Sequence, residues 1–465
     1  MNTRSASPSA LSDLARHASA MTMQTIPDDV RLQARLCLLD TIGCMLAGTR
    51  TQEAALALAC ETEIPGESGA TVVGTPYRRG WRGAMRVNGY LGDVLELNDL
   101  IGGHASIGTV AATLALAETL GASGVRTQEA LVRGIEVTAR VYGAVYPTLK
   151  RYTDMALVPV GIPSSIGVAA AAACMLDLDD EQTLSAMAIA AALAGWCPAE
   201  VIFGSGGTVK PMLFGAQPAD TGATAAWYAR AGMTGPNEIL DSKTGYFSSV
   251  SNGAHWDAGA WEGSWALSEP RRKLHACCGY LHAPVDAMRR LMRQPGPTFN
   301  ESRIEVRVAP YVADVVAKDR MPHSSNDARF HLQFCIALAA CGADVILPEH
   351  SIDLDQQLQR ADLQYTMRRI EVRPDPALTH YHQCEVRVTD ASGQAASQAL
   401  SAPRGSPQAP LSEGDVIEKF MVLSRPVLGS ERANRFADTC LALEQVSNTR
   451  ELIALLTPPL IEGMS

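Results

Sequence analysis

The run from Val158 to Leu176, VPVGIPSSIGVAAAAACML, carries no charge over 19 residues, and this sets the first constraint on the fold. A stretch of that length either crosses a bilayer or lies inside a protein body. It contains Pro159 and Pro163 and is built of Ala, Gly and Ser rather than Leu, Ile and Phe. It therefore reads as a buried helix, with Ala169 to Ala173 letting neighbouring backbones approach closely, and no membrane partner is expected. Other segments share this texture. After Pro27-Asp28-Asp29, the residues Val30, Ala34, Cys37, Leu38, Ile42 and Met45 recur at helical spacing until Gly48 closes the helix. Helical patterns follow over 81–97, 109–120, 127–145, 163–176, 180–194 and 217–231. Several are apolar almost all round, which places them in the interior of a large helical body. Aromatic residues are only 5%, too few for a β-sandwich.

Beyond Pro270 the period changes. Ile304-Glu-Val-Arg-Val308, Ile370-Glu-Val372 and Cys384-Glu-Val-Arg-Val388 alternate as half-buried strands do, and Asp390-Ala-Ser-Gly393 reads as a turn between strands. Helical patterns at 281–293 and 329–341 are interleaved with them. The Pro-rich loop Ala402 to Pro410 ends this part, and from Ser412 the pattern is helical again. The expected fold is mainly α. A large all-helical domain over residues 1–267 is completed by 408–465, and a smaller α+β domain spans 268–407.

Charge and cysteine usage exclude several functions. Lys plus Arg number 39 against 49 Asp plus Glu, a net charge of −10, and no basic run offers a footprint for nucleic acid. The 11 cysteines are odd in number and show no C-x-x-C spacing, so neither a disulfide framework nor a zinc or iron–sulfur site is expected. The N-terminal segment has no continuous apolar stretch of the secretory kind, and a reduced, cytoplasmic compartment fits best.

Three segments carry candidate chemistry. The first, Glu96-Leu-Asn-Asp99-Leu-Ile-Gly-Gly-His104-Ala-Ser106, gathers two carboxylates, an amide, an imidazole and a hydroxyl around a Gly-Gly turn. Such a loop can hold a general base, His104, beside an orienting carboxylate, Asp99. The same Asn98, Asp99 and Ser106 would also serve as helix caps. The second, Phe203-Gly-Ser-Gly-Gly-Thr-Val-Lys210-Pro211, delivers one lysine from a Gly-rich loop able to cradle an anion. It has neither Walker nor dinucleotide-site spacing, and it would equally be a plain connection. The third, Arg271-Arg272-Lys273-Leu-His275-Ala-Cys277-Cys278-Gly-Tyr280-Leu-His282, masses cations, histidines, thiols and a phenol at the domain boundary. A cationic pocket for substrate carboxylates is its sharper reading, since clustered cations in an acidic chain need a local cause. Ordinary core packing accounts for one of the two cysteines.

Taken in order, these segments resemble the MmgE/PrpD family, which includes 2-methylcitrate dehydratase, cis-aconitate decarboxylase and iminodisuccinate epimerase. Leu39-Asp-Thr-Ile-Gly43 with Leu46-Ala-Gly48, Arg86-Val-Asn-Gly89, Glu96 to Asp99, His104-Ala-Ser106, Gly134-Ile-Glu-Val137, Lys210-Pro211, Lys273 to His282 and Asp327-Ala-Arg-Phe330 follow the family's motifs across nearly the whole chain. The resemblance implies a large helical domain with an α+β lid, usually as a homodimer. The site would lie between the domains and need no metal or organic cofactor. It places Asp99, His104, Lys210, Lys273 and His282 on polar site positions.

The chain also departs from the family pattern. The acidic quartet reads Glu96-Leu-Asn-Asp99, a proline has become Ala105, and the "HP" pair common in the family is Val158-Pro159. Tyr311 is the candidate for the family's later active-site tyrosine. The expected activity is a cofactor-independent lyase, foremost a hydro-lyase on a small hydroxy-polycarboxylate such as 2-methylcitrate. An epimerase or decarboxylase on a related di- or tricarboxylate is one alternative, and a non-catalytic ligand-binding relative is another. The expected catalytic residues are His104, Asp99, Lys210, His282 and Tyr280, with Lys273, Arg272, Ser106, Glu96 and Cys278 binding substrate.

Overall fold

The computed structural model describes residues 9–61, 69–205, 207–254, 261, 263–295 and 302–458; Gly206 of the Gly-rich stretch lies outside them. The chain forms two units. The first takes residues 1–94, 98–270 and 413–465, and the second takes 95–97 and 271–412. The fold is mainly helical, a helical body accompanied by a smaller α+β one.

In the first unit run α1 (Ala10–Ser19), α2 (Asp28–Gly48), α3 (Gln52–Ala59), α4 (Trp81–Asp93), α5 (Ala105–Leu120), α6 (Gly124–Val145), α7 (Ile162–Met175), α8 (Asp180–Leu193), α9 (Ala199–Ser205) and α10 (Gln217–Arg230). The run that opened the sequence reading becomes α7, which is buried along its entire length. Its small residues are there because other helices come very close. A Cβ on Gly167 would stand 2.0 Å from Thr138 Oγ1 and 2.3 Å from the Gly134 carbonyl oxygen of α6. A Cβ on Gly222 of α10 would stand 2.6 Å from the Ser165 carbonyl oxygen of α7. Among the described residues no helix is long and apolar enough to cross a membrane. The helical stretch Glu413–Leu441, two helices broken at Gly429 (φ 76°), packs on α2, where Lys419 Nζ meets the buried Asp40 carboxylate at 2.7 Å.

The second unit is built on a four-stranded sheet of β1 (Arg303–Val308), β2 (Ile370–Pro374), β3 (Cys384–Thr389) and β4 (Ala395–Leu400), in the order β2-β1-β3-β4. β1 lies parallel to β2 and antiparallel to β3, with Val306 opposite Val372 and Val386. The alternation seen in the sequence puts Ile304, Val306 and Val308 on the buried face. Helix His282–Met292 packs against β3 and β4 and against helix Leu332–Ala340.

Two expectations need correction. The helix foreseen over 81–97 stops at Asp93, because Glu96 takes a left-handed conformation (φ 53°) that no α-helix contains. The helix foreseen over 329–341 begins at Leu332, where the His331 side chain accepts the Phe334 N–H as an N-cap. β4 was expected only as the strand after the Asp390–Gly393 turn, not from its own pattern. Its sequence Ala-Ala-Ser-Gln-Ala-Leu has no β-branched residue, and it becomes a strand by pairing with β3 across the Asp390–Gly393 turn.

Candidate functional site

The candidate residues form one cluster in each unit. In the first unit, α4 ends at Asp93, a carboxylate 1% exposed with no cation within four residues along the chain. Its partner comes from far away in sequence: Lys210 Nζ, itself 3% exposed, donates to Asp93 Oδ2 at 3.0 Å. Asn98 Nδ2 donates to the other oxygen, Asp93 Oδ1, at 3.3 Å. The sequence reading passed over Asp93. The available signal was a lone acid among Leu91, Gly92, Val94 and Leu95, since a buried carboxylate in apolar surroundings needs a cation brought to it.

His104 occupies the N-cap position of α5 in a left-handed conformation (φ 83°, ψ 47°), and its side chain makes no capping hydrogen bond. Only three non-glycine residues among those described have positive φ, and two of them, Glu96 and His104, stand in this loop. Gly102 and Gly103 take positive φ beside it, and a Cβ on Gly102 would fall 2.5 Å from Ala139 Cα. The imidazole instead stacks on Phe214, with centroids 5.7 Å apart. Strain of this kind costs about 1–2 kcal/mol and gathers at functional sites. Asp99 Oδ1 accepts the Ile101 N–H at 2.8 Å, so one of its oxygens shapes the turn leading to His104. Ser106 follows on the first turn of α5, fully buried. Val158 is 2% exposed and donates its N–H to the Cys197 carbonyl, so this position has no side chain able to carry a proton.

In the second unit Lys273 is fully buried, and its Nζ donates twice to one residue, to Glu96 Oε2 at 2.8 Å and to the Glu96 carbonyl oxygen at 3.0 Å. The left-handed backbone of Glu96 allows both groups to face one ammonium. Arg272 is 3% exposed, and its N–H donates to the Gly405 carbonyl at 2.9 Å, tying the strand of cations to the Pro-rich loop. Arg271 Nη1 lies 3.4 Å from Tyr381 Oη. Cys277 is a core thiol pushed up by burial and by Cys335 beside it. Cys278 is 8% exposed, with its N–H on the Arg329 carbonyl. Tyr280 touches Tyr311 edge-on at 5.8 Å and Tyr381 at 5.4 Å.

His282 opens its helix, 3% exposed, edge-on to His275 at 5.0 Å. Burial first, then the charges of His275 and Lys273, hold its imidazole well below the ordinary value, so the ring is neutral near pH 7. A hydrogen bond to the Cys277 backbone works the other way. Its Nε2 is buried with no hydrogen-bond partner among the described residues. His275 is the ring's fixed neighbour. Ile346 N–H donates to His275 Nδ1 at 3.1 Å, so the hydrogen sits on Nε2, which meets Asp286 Oδ1 at 3.2 Å. Asp286 also accepts the Arg404 N–H at 2.8 Å, and these bonds hold its carboxyl well below the usual range despite burial. Sequence reasoning took in neither Asp286 nor Tyr381, which are joined to the cationic segment only through folding.

Among the described residues no group of three or more His, Cys, Asp or Glu is placed to hold a metal ion. Each cluster instead offers a buried ammonium on a carboxylate and an imidazole, a set suited to binding carboxylates and moving protons.

Comparison with known proteins gives a consistent result. The chain matches the MmgE/PrpD N-terminal domain over residues 12–258 and the MmgE/PrpD C-terminal domain over residues 275–445. It is 26% identical to the cis-aconitate decarboxylase-like protein oryM of Aspergillus oryzae over 479 residues, covering 96% of each chain. It is 24% identical to a cis-aconitate decarboxylase of Aspergillus terreus, again covering 96% of each. The human cis-aconitate decarboxylase is 24% identical over 93% of this chain and 92% of its own.

Proposed function

Because the chain belongs to the MmgE/PrpD family, we propose that it is a cofactor-independent lyase acting on a small polycarboxylate at carbon next to a carboxylate. The observation that carries this reading is the pair of buried lysines, each on its own carboxylate, with an imidazole in each cluster. Loss of a proton or of CO2 beside a carboxylate leaves an electron pair that spreads onto the carboxylate as enolate-like charge. In a dry site, fixed ammonium groups stabilise that charge strongly. Lys210 and Lys273 take this role, with Arg272 and Ser106 as further substrate contacts. His104 exchanges the proton at carbon. His282, neutral and with a buried Nε2, is the second proton carrier, and Tyr280 is the alternative to it.

Decarboxylation of an unsaturated polycarboxylate takes first place, since the relatives named above, matched over 92–96% of their length, bear cis-aconitate decarboxylase or decarboxylase-like names. Dehydration of a hydroxy acid such as 2-methylcitrate uses the same cations and stands second. It additionally needs a donor for the leaving hydroxyl; neutral His282 can only accept a proton, so the Tyr280 phenol supplies that proton in this reading.

Proton NMR in D2O tests the proposal, with metal-free protein and a panel of cis-aconitate, 2-methylcitrate, citrate, malate and iminodisuccinate. Loss of CO2 with deuterium entering at carbon is expected for cis-aconitate, and Lys210→Ala should abolish it. New vinyl signals from a hydroxy acid would move first place to dehydration, and inversion without loss of a group would mean an epimerase. Folded protein that binds members of the panel yet exchanges no proton would overturn the enzyme reading in favour of a binding protein.

A further inference from the structure

Between Lys210 and α10 the chain makes a single π-helical turn, Met212–Ala216. Such turns are rare and are costly to keep, and they recur at functional sites because they re-aim one side chain. Here the re-aimed side chain is Phe214, 1% exposed. Lys210 Nζ stands 4.7 Å from the centre of its ring, and the His104 imidazole stacks on the same ring. The turn is pressed against both helices that carry the partner groups. A Cβ on Gly215 would fall 2.1 Å from the Gly89 carbonyl oxygen of α4 and 2.7 Å from the Ile107 side chain of α5. α4 ends in Asp93, the partner of Lys210, and α5 begins beside His104.

We infer that Phe214 is a positioning residue, whose ring holds the Lys210 ammonium by a cation–π contact and the His104 imidazole by stacking, and so fixes the distance between the two groups. An aromatic face attracts an ammonium electrostatically, and burial strengthens the attraction. Leucine at 214 would fill much of the space but supply neither interaction. The π turn is what lets one side chain reach both groups. The effect on turnover rests on the carboxylate chemistry proposed above, but the contact itself does not.

The test keeps the shape of the ring and removes its charge distribution. 4-Fluoro-, 3,5-difluoro- and 3,4,5-trifluorophenylalanine are placed at position 214 in the full chain, with Phe214→Leu alongside. The first readout is the ammonium signal of Lys210 in protein labelled with 15N-lysine, identified by its loss in Lys210→Arg. A graded shift and faster proton exchange across the fluorinated series are expected. The second is kcat/KM on whichever polycarboxylate is turned over, which should fall by about 3- to 30-fold across the series, mainly in kcat. A lysine signal unchanged by fluorination would overturn the inference, even if Phe214→Leu lowers activity, because the ring would then be filler. A graded lysine signal in protein that turns over none of the panel supports the positioning role and sinks the functional reading alone.

Discussion

Lysine 273 and glutamate 96 give the sharpest test of the reasoning. Both side chains are buried, and the ammonium meets the Glu96 carboxylate at 2.8 Å and the Glu96 carbonyl at 3.0 Å. Lys273→Met keeps the lysine stem as far as Cε but leaves the carboxylate buried and uncompensated, at a cost of about 3–5 kcal/mol. Glu96→Gln leaves the ammonium uncompensated but keeps an acceptor oxygen, and should cost about 2–4 kcal/mol. The double variant buries no charge. What remains is the loss of the Lys273 hydrogen bond to the Glu96 carbonyl, about 1 kcal/mol, since the left-handed backbone is strained in the parent as well. The losses should therefore be far from additive. All six tryptophans lie outside 271–412, so their fluorescence is blind to this region. Hydrogen exchange of the β1 and β3 amides, read by mass spectrometry, reports opening of the unit directly. Additive losses within about 0.5 kcal/mol, or a cost below about 1 kcal/mol for Lys273→Met, would refute the claim that the pair is buried and mutually dependent. If the pair serves catalysis, the double variant should be nearly as stable as the parent yet inactive.

Three further outcomes follow from the packing and the titrations. Gly405→Ala should cost about 3 kcal/mol in urea unfolding: Gly405 has φ 89°, and its Cβ would fall 1.9 Å from the Arg272 carbonyl oxygen, breaking the tie to the cationic segment. A wild-type unfolding curve would contradict this. Gly167→Ala should destabilise the first unit by about 2–3 kcal/mol, and adding Thr138→Ala should not restore it, because the Gly134 carbonyl oxygen still stands 2.3 Å from the new carbon. Calorimetry of both variants decides. On acidification, buried His275 and His282, both held below their ordinary value, stay neutral while the unfolded chain takes up protons below about pH 6.5. Their contribution is complete above that pH and should be lost by about 1 kcal/mol per histidine between pH 6.5 and 5.5, so urea midpoints that rise over that interval would show the sign to be wrong.

The sequence made the helical body legible because its signal is local. Apolar residues on every side of a helix, and alanine and glycine where helices cross, follow from close packing, and Gly134, Gly167 and Gly222 sit where helices cross closely. The strands β1 and β3 were legible for a similar reason, since one face of each is buried and alternation records it. β4 was legible only through the turn before it, because its own identity is borrowed from β3. The segments carrying Lys210 and Lys273 stood out as cations beside glycines and histidines. Their partners did not, because nothing local to Asp93 names Lys210, and the continuation of a helix through Glu96 was the simpler local reading.

Residues 93–104 show what sequence pattern can and cannot separate. A cluster of acids, amide, glycines, histidine and serine before an apolar helix is the composition of a helix cap and of an active-site loop alike. The two readings differ in where the energy goes. Asp99 spends one oxygen on the turn, as a cap-like residue would. His104 makes no capping bond and sits in a strained conformation against an aromatic ring, while Asp93 and Glu96 are buried on lysines. Buried ion pairs are poor sources of stability, and left-handed non-glycine residues are a direct cost. A loop selected only for folding would replace both with apolar residues and glycine. The proposed carboxylate chemistry would give these two buried charge pairs and two strained residues, all within a dozen positions, a use, with the stability supplied by the helices on either side.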